Sequence, residues 1–463
     1  MASAGTVAPQ RVNITELINK NPFSNYQLII CLLCLLVVIL DGFDNLIIGV
    51  VAPKIAQSLK AGPQQLGVVF STGHLGFMVG ALGFGVLADR WGRKKTLMLC
   101  ALLFAAASMV TTGVTTVGAL TLCRFATGVG LGGAVPNALA LGSEYAPVRL
   151  RASIATMLWM GMPAGGTLAG FVGAYSLSRF SWQSLFWIGG FAPLVGIVLV
   201  YFLLPESIAF LVRQNKSEYA PRITRIAARI APSILAPTAK AEFYTTDAKL
   251  PGAPLKHLFT EGRALMTVLL WISFFLSFFL VQFLMSWIPS MLKMSGATVQ
   301  QGGVAFALAN LSSVVATVIM GRIMDKLDAY RVIMVSFLIS AVTVSLFGLT
   351  AGSAFWVVAT LALLNGIFVC GCGSGGVMAL AAILYPPAIR GTGIGWAYGL
   401  GRIGAMSGPL LGGVLLARHW SVGGVCTLAG CAGLVAAVIA MVLKAQNKKL
   451  AMRIQAAATA AGA

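Results

Sequence analysis

The sequence predicts an all-α membrane protein in which twelve membrane-spanning helices form two related halves of six. Three observations favour this fold: an apolar composition, apolar runs long enough to cross a bilayer, and two motifs that recur in the second half. Of the 463 residues, 58% are hydrophobic, only 10% are charged and 53 are glycines. This composition is typical of polytopic membrane proteins.

Twelve apolar runs are each long enough to cross the hydrocarbon core of a bilayer. That core is ~30 Å thick and a helix rises ~1.5 Å per residue, so about 20 apolar residues suffice. The predicted spans, numbered 1 to 12, are residues 27–50, 65–88, 95–114, 117–141, 150–173, 183–204, 264–290, 298–321, 331–350, 354–382, 391–417 and 421–443.

The segments outside the spans complete the predicted organisation. Residues 205–263 are rich in proline and basic residues, which is typical of a linker on the membrane surface. The predicted parts are an N-terminal segment 1–26, a six-helix bundle 27–204, the linker 205–263, a second six-helix bundle 264–443 and a tail 444–463.

The basic residues are distributed unevenly across the membrane. The formal net charge is +20, and 25 of the 32 Lys and Arg residues lie on the side that holds both termini. Because positively charged loops stay in the cytoplasm, both termini are predicted to be cytoplasmic. The positive charge therefore reflects topology, and nucleic acid is not a predicted partner.

Two motifs of the first half recur in the second half. An aspartate that follows a glycine by four residues comes after span 2 as Asp89 and after span 8 as Asp325, 236 residues later. The segment Tyr145–Arg151 before span 5 likewise resembles Tyr385–Arg390 before span 11. Two motifs at nearly the same offset indicate a duplicated unit of six spans.

Two aspartates lie inside the first apolar run. Asp41 and Asp44 are three residues apart, so they share one face of a helix. Each carboxylate costs ~3 kcal/mol at the centre of a span, so this face must meet protein or a water-filled cavity. The alternative is a helix that ends near Leu40 with both acids in an outer loop. The apolar continuation Leu46–Val51 argues against that alternative.

Arg124 lies about as deep in span 4 as the two aspartates lie in span 1. A buried arginine needs an anionic partner, and one of these aspartates is the natural candidate. The pair could be purely structural. In the functional hypothesis, one aspartate pairs with Arg124 and the other takes up and releases a coupling proton, and the sequence does not distinguish the two.

Arg402 lies near the middle of span 11, with Trp396 and Tyr398 one to two turns away. A guanidinium can bind a carboxylate, and aromatic faces can hold a ring, so these residues are the main candidates for substrate recognition. In the alternative, the backbone carbonyls of a glycine-rich helix satisfy the arginine.

Other polar side chains within spans are further candidates for substrate binding. His74 in span 2 could bind a substrate hydroxyl, or it could be a satisfied core residue. Asn137 and Asn365 could read substituents on a ring. No grouping of ligands suggests a metal, and no catalytic constellation or ATP site is recognisable, so neither an enzyme nor a cofactor is predicted.

Several motifs resemble those of a known transporter superfamily. The segments Gly85–Lys95, Arg124–Asn137 and Pro205–Ser207 resemble the major facilitator superfamily. Asp41–Asp44 and Ile389–Trp396 are similar to the signature of its aromatic acid:proton symporter family. The resemblance covers nearly the whole chain and implies the major facilitator fold.

The resemblance also implies a function and a set of gating residues. It implies a proton-coupled symporter that imports a hydroxybenzoate-like aromatic carboxylate by alternating access across a bacterial inner membrane. Both Asp41 and Asp44 would then be functional, and Asp89, Arg93, Asp325 and Arg390 would belong to the cytoplasmic gate. The gate segments could instead be charge clusters that only set topology.

The predicted partners are a small aromatic carboxylate, protons and the lipid bilayer, and the protein is expected to be monomeric. Two alternatives remain open. The substrate could be another organic anion, a sugar or an exported drug. The protein could also be a sensor that binds aromatic acids without transporting them and signals through the linker 205–263.

Overall fold

The structure is a computed structural model that describes residues 10–214, 217–231, 241–244, 255–260, 263–385 and 387–461. Within these ranges the chain is almost entirely helical, as the sequence predicts. Spans 1 to 6 are the helices Asn25–Ser58, Pro63–Trp91, Arg93–Thr111, Val117–Glu144, the pair Val148–Trp159 and Gly161–Ser176, and Gln183–Leu203.

The second half repeats this arrangement. Spans 7 to 12 are the helices Ala264–Met294, Val299–Lys326, Ala329–Leu349, the series Phe355–Asn365, Gly366–Ser374 and Gly375–Leu384, then Pro387–Ala417 and Val422–Ala461. The middle part of span 10, Gly366–Ser374, is a π-helix. In the described ranges, eleven helices are long and apolar enough to cross a membrane. Span 5, which is broken at Met160, completes the predicted twelve.

Short elements lie outside the spans, on the side that carries both termini. Their helical members are Ile14–Lys20, Ile208–Gln214, Ser217–Tyr219, Ala220–Ile230 and Leu255–Leu258. Two strands, Gln10–Asn13 and Ala241–Tyr244, pair in parallel. The all-α prediction missed this pairing, because each strand has only four residues and its partner is more than two hundred residues away.

The helix termini follow the local sequence. The Ser24 hydroxyl accepts a hydrogen bond from the Gln27 amide, and the Gln27 side chain accepts one from the Ser24 amide. Thr298 and Gln301 form the same reciprocal cap at the start of span 8. These caps satisfy amides that the first turn of a helix leaves without intrahelical acceptors.

The two halves pack closely at the side opposite the termini. A Cβ atom at Gly67 of span 2 would lie 2.8 Å from the Pro409 carbonyl oxygen of span 11. The Ser71 hydroxyl donates to the Met406 carbonyl of span 11 at 2.7 Å. Small residues permit this backbone approach, so the halves are closed on this side.

Two further helix pairs close the same side. A Cβ atom at Gly170 of span 5 would lie 2.7 Å from the backbone nitrogen of Ala307 in span 8. A Cβ atom at Gly49 of span 1 would lie 2.5 Å from the Met285 carbonyl oxygen of span 7. The contacts described here thus join three pairs of spans: 2 with 11, 5 with 8, and 1 with 7.

We expect the substitution Gly67→Val to separate the halves at this closed side, because its side chain would overlap the Pro409 carbonyl. The measurement is labelling of a cysteine introduced at Ser71 by a membrane-impermeant maleimide, with the variant lacking that cysteine as background. Labelling should be faster in Gly67→Val. Gly118→Val is the matched control, since a Cβ atom at Gly118 meets nothing within 4 Å. Equal labelling in both variants would contradict the assignment of Gly67 to the closure.

Candidate functional site

Both aspartates of span 1 lie inside the membrane domain. Span 1 continues without a break from Asn25 to Ser58, which excludes the alternative that places the acids in an outer loop. The side chains of Asp41 and Asp44 are fully buried, with exposed fractions of 0%. Their surroundings nevertheless differ.

Asp44 is the aspartate that faces Arg124. Its Oδ2 atom lies 3.9 Å from Nη1 of Arg124, and its Oδ1 atom accepts a hydrogen bond from the Ser108 hydroxyl of span 3. Gly189 of span 6 makes room for the carboxylate, because a Cβ atom there would lie 2.7 Å from Oδ1. Of the two aspartates, Asp44 is therefore the partner of Arg124.

Arg124 is held by groups from three other spans. Its Nη2 atom donates to the Thr111 hydroxyl at 3.1 Å, and its guanidinium lies 4.7 Å from the centre of the Phe186 ring. With Asp44, these contacts surround a cation of which only 4% is exposed. The contacts with the Thr111 hydroxyl and the Phe186 ring partly compensate the guanidinium for the hydration that it loses on burial.

Asp41 lacks such partners. Neither carboxylate oxygen has a hydrogen-bond partner among the described residues, and both atoms are buried. The charged groups that act on it electrostatically are Asp44 and Arg402. One aspartate of the pair is therefore fixed by contacts, and the other is not.

Arg402 lies in an aromatic environment across the interface between the halves. Its guanidinium is 3.7 Å from the centre of the Phe77 ring, 4.7 Å from that of Tyr398 and 5.7 Å from that of Phe278. It donates a hydrogen bond to the Tyr398 hydroxyl. In the part of the chain that the structure describes, no carboxylate forms an ion pair with it and no backbone carbonyl accepts from it, contrary to the glycine-carbonyl alternative.

The structure brings Tyr398 to Arg402 but places Trp396 elsewhere. Tyr398 makes edge contacts with Phe278 and with Trp159 of span 5, with ring centres 5.3 and 6.0 Å apart. Trp396 is 48% exposed and stacks on Trp271 instead. Six residues separate Trp396 from Arg402, which corresponds to about 240° around a helix, so the two side chains lie on different faces. Trp159 was not among the predicted residues.

His74 lies beside a small cavity between the halves. The cavity has a volume of about 30 Å³ and is lined by side chains that include His74, Arg124 and Gln282. Nδ1 of His74 is buried without a hydrogen-bond partner among the described residues. A volume of this size holds a water molecule or two, whereas benzene occupies a cavity of roughly 150 Å³. The structure is therefore closed around this point.

The predicted asparagines are engaged in contacts that hold helices. Asn137 donates to the Gly133 carbonyl of its own helix at 2.8 Å. Asn365 accepts from the Thr343 hydroxyl at 2.8 Å and so links spans 9 and 10, away from the central residues. Asn310 of span 8 lies instead where the halves meet, because a Cβ atom at Gly166 of span 5 would lie 2.5 Å from its Oδ1 atom.

A second charged network lies where spans 3, 4 and 6 end near the termini. Arg93 Nη1 lies 2.9 Å from Glu144 Oε1. Glu206 Oε1 accepts from the backbone amides of Arg93 at 2.8 Å and Lys94 at 3.0 Å. Its charge therefore lies at the positive end of the span 3 helix. The sequence analysis assigned no role to Glu144, because it lies three residues beyond the predicted end of span 4, whereas the helix continues to Glu144.

The other predicted gate residues lie at the same side. Asp89 is exposed at the end of span 2. Asp325 and Arg390 belong to spans 8 and 11, but their side chains lie outside the described part of the structure. Nearby Asp328, which stands where the superfamily motif has a glycine, lies between spans 8 and 9.

Asp328 caps span 9 and fixes the end of span 12. Its Oδ1 accepts from the Arg331 amide at 3.1 Å, and its Oδ2 lies 2.8 Å from Lys444 Nζ. The hydrogen bond from Lys444 lowers the pKa of this carboxyl below its usual value. Asp328 thus has a local structural role at the ends of spans 9 and 12.

Comparisons with known proteins place these features in a family. The family model described as Major Facilitator Superfamily matches residues 34–328 and 270–459. The chain belongs to this superfamily. A similar fold occurs in the inward open conformation of the xylose transporter XylE from E. coli, with a TM-score of 0.70 at 17% identity over 90% of this chain and 96% of that one.

Several proteins named as transporters are similar over almost the whole chain. The 4-hydroxybenzoate transporter PcaK of Pseudomonas aeruginosa is 36% identical, covering 91% of this chain and 93% of that protein. The 3-(3-hydroxy-phenyl)propionate transporter of Escherichia coli is 35% identical, covering 90% and 94%. The gallate transporter of Pseudomonas putida is 31% identical, covering 92% and 94%. All three are named as transporters, which agrees with the prediction that this superfamily member is not an enzyme.

The different surroundings of the two aspartates lead to a stability prediction. We expect Asp44→Asn to destabilise the purified protein by on the order of 3 kcal/mol, because it leaves the buried Arg124 without an anionic partner. Asp41→Asn removes no hydrogen bond or close ion pair and should change the melting temperature little. Thermal unfolding in detergent compares the two variants, and equal melting temperatures would contradict the asymmetry.

Proposed function

We propose that this protein is a proton-coupled symporter that imports a hydroxybenzoate-like aromatic carboxylate by alternating access. The observation that carries the proposal is Arg402, a buried cation without a carboxylate partner among the described residues, surrounded by aromatic rings. The names of the relatives, which transport 4-hydroxybenzoate, gallate and hydroxyphenylpropionate, support the same substrate class.

The substrate carboxylate binds Arg402 in this proposal. A planar guanidinium donates two parallel hydrogen bonds to a carboxylate, and the binding is strong where water is excluded. The substrate ring contacts Phe77, Phe278 and Tyr398, which already lie around the guanidinium. Because the guanidinium now covers the Phe77 ring, loading requires the halves to separate.

Substituents on the substrate ring meet polar groups nearby. His74 and Gln282 line the central cavity, and the Nδ1 atom of His74 is available as a donor or an acceptor. Asn310 lies at the interface between the halves, against Gly166 of span 5. Asn137 and Asn365 could bind the substrate only if their side chains left the hydrogen bonds that they now make with helix groups. A hydroxyl on the ring is the substituent that such groups recognise.

Asp41 carries the coupling proton, and Asp44 stays paired with Arg124. Asp41 and Arg402 interact electrostatically, so an ionised Asp41 competes with the substrate carboxylate for the same cation. Protonation of Asp41 removes this competition and favours loading. Deprotonation after reorientation restores it and favours release, which links proton movement to substrate movement.

The protein lies in a bacterial inner membrane with both termini in the cytoplasm, and it works as a monomer. The uneven distribution of Lys and Arg supports this orientation. In this orientation the closed side faces outward. One proton that enters with a monocarboxylate moves no net charge, so the pH gradient drives accumulation, at about 1.4 kcal/mol per pH unit.

Alternation between the two states depends on the networks at the cytoplasmic side. When the outer side is closed, Arg93 pairs with Glu144 inside the first half. Asp89, Asp325 and Arg390 complete a cytoplasmic closure when the outer side opens. The glycine contacts at the outer side and the charge contacts at the inner side then stabilise opposite conformations.

The first test is accumulation of labelled 4-hydroxybenzoate in proteoliposomes under an inward proton gradient. Asp41→Asn should abolish gradient-driven accumulation but retain substrate binding, since the amide cannot exchange the coupling proton. Glu218→Gln, which changes an exposed acid of the linker, is the matched control and should transport normally. Binding without accumulation by the wild type would indicate the sensor instead. A wild type that neither binds nor accumulates any aromatic acid would overturn the substrate class.

The second test concerns the role of Arg402. Arg402→Gln should weaken binding of 4-hydroxybenzoate on the order of 100-fold, because removing one partner of a buried charge pair costs roughly 3 kcal/mol. Arg402→Lys should recover part of this loss by keeping the charge. Arg418→Gln serves as the control, because it removes an exposed cation that directly follows span 11, far from the buried Arg402. Calorimetric titration measures all four proteins, and unchanged affinity in Arg402→Gln would exclude the carboxylate contact.

A further inference from the structure

A large pocket lies outside the central site, on the side that carries the termini. Its volume is about 1040 Å³, far larger than the central cavity. The ends of spans 2, 3 and 6 form one wall, and the helix Ala220–Ile230 of the linker forms the other. We call it the linker pocket.

The linker pocket is strongly basic. Its cationic lining residues are Arg90, Lys94, Lys95, Arg222, Arg225 and Arg229. The one carboxylate in the lining is Glu206, which already accepts hydrogen bonds from the backbone amides that begin span 3. The positive charge of the pocket is therefore not neutralised by its own walls.

Few of these cations are engaged by other side chains or carbonyls in the described part of the chain. Lys94 donates to the Tyr201 carbonyl at 2.7 Å, and Arg229 lies 5.2 Å from the centre of the Tyr26 ring. Among the described residues, none forms an ion pair with Arg222 or Arg225, or with Arg90 or Lys95 at the opposite wall. Like charges held around one space attract an anion strongly.

The linker helix holds its arginines in a fixed direction. Arg222, Arg225 and Arg229 are spaced by three and four residues, so they share one face of the helix. The adjoining face is buried against the first half through Ile223, Ile226, Ala227 and Ile230. Because packing already fixes the helix, a bound anion does not have to order it.

The rim of the linker pocket is apolar and faces the surroundings of the spans. Trp91 at the end of span 2 is 57% exposed, and Phe202 at the end of span 6 is 74% exposed. Tyr201 beside it is also exposed. Aromatic side chains at span ends are typical of the boundary between lipid tails and headgroups. The pocket thus combines a cationic interior with an opening at the depth of phospholipid headgroups.

We propose that the linker pocket binds the phosphate headgroup of an anionic phospholipid, with the acyl chains along the aromatic rim. Arginine side chains bind phosphate oxygens through paired hydrogen bonds, and basic pockets at the ends of spans attract acidic headgroups. A soluble phosphate compound would leave the apolar rim without a partner. The bound lipid then joins the linker to spans 2, 3 and 6.

The test is lipid retention by the purified full-length protein, measured by native mass spectrometry. The protein in neutral detergent receives equal amounts of phosphatidylglycerol and phosphatidylethanolamine. The wild type should retain phosphatidylglycerol preferentially. Arg222→Gln/Arg225→Gln should bind it about 30-fold more weakly, since each cation near an anionic headgroup contributes about 1 kcal/mol. Equal binding of the two lipids by the wild type would overturn the proposal.

Matched variants separate the pocket from general charge. Lys448→Gln/Lys449→Gln removes two exposed cations at the end of span 12 and should bind phosphatidylglycerol like the wild type. Arg222→Lys/Arg225→Lys keeps the charge and should recover most of the binding, which excludes misfolding as the cause. An equal loss in the Lys448/Lys449 variant would overturn the assignment to the linker pocket.

A competition experiment distinguishes a lipid phosphate from a soluble phosphate as the ligand of the linker pocket. Millimolar inorganic phosphate should not displace phosphatidylglycerol, because the free ion makes no contact with the rim. Full displacement would show a site for soluble anions and would overturn the lipid proposal. None of these measurements involves transport, so their failure is distinguishable from failure of the proposed symport.

Discussion

The burial of charge within a membrane domain is the constraint on which the rest of this structure depends. Arg124 and Asp44 can remain inside the bundle only because side chains of spans 3 and 6 supply Ser108, Thr111 and Phe186 around them. An ionised group without such contacts would cost several kcal/mol. The first half therefore contains a polar centre in which its own helices supply partners for Asp44 and Arg124 but none for the carboxylate oxygens of Asp41.

The contacts between the halves are of a different kind. At the closed side they consist of glycine backbones against backbones and a few hydrogen bonds, as at Gly67 and Ser71. No carboxylate of the described residues pairs with a cation across this closure. These contacts are close-packed when the halves meet. Their separation leaves no buried charge without its partner, so each half can move as a unit.

The sequence predicted the spans well because a bilayer imposes length and apolarity on each of them. It also predicted that Tyr398 lies with Arg402, because residues four apart share a helix face. It failed for Trp396, whose spacing turns it toward Trp271. Trp159 could not be predicted, because its contact with Tyr398 joins helices far apart in the chain. The strand pairing was missed for the same reason.

The sequence by itself determined that Asp41 and Asp44 are intramembrane acids on one helix face and that Arg124 lies at a similar depth. Helical spacing and rise per residue are local quantities, so they follow from the order of residues. Only the tertiary structure decided that Asp44 pairs with Arg124 while the carboxylate oxygens of Asp41 are buried without a hydrogen-bond partner among the described residues. That choice depends on how span 1 is rotated against spans 3, 4 and 11, and packing between helices sets this rotation.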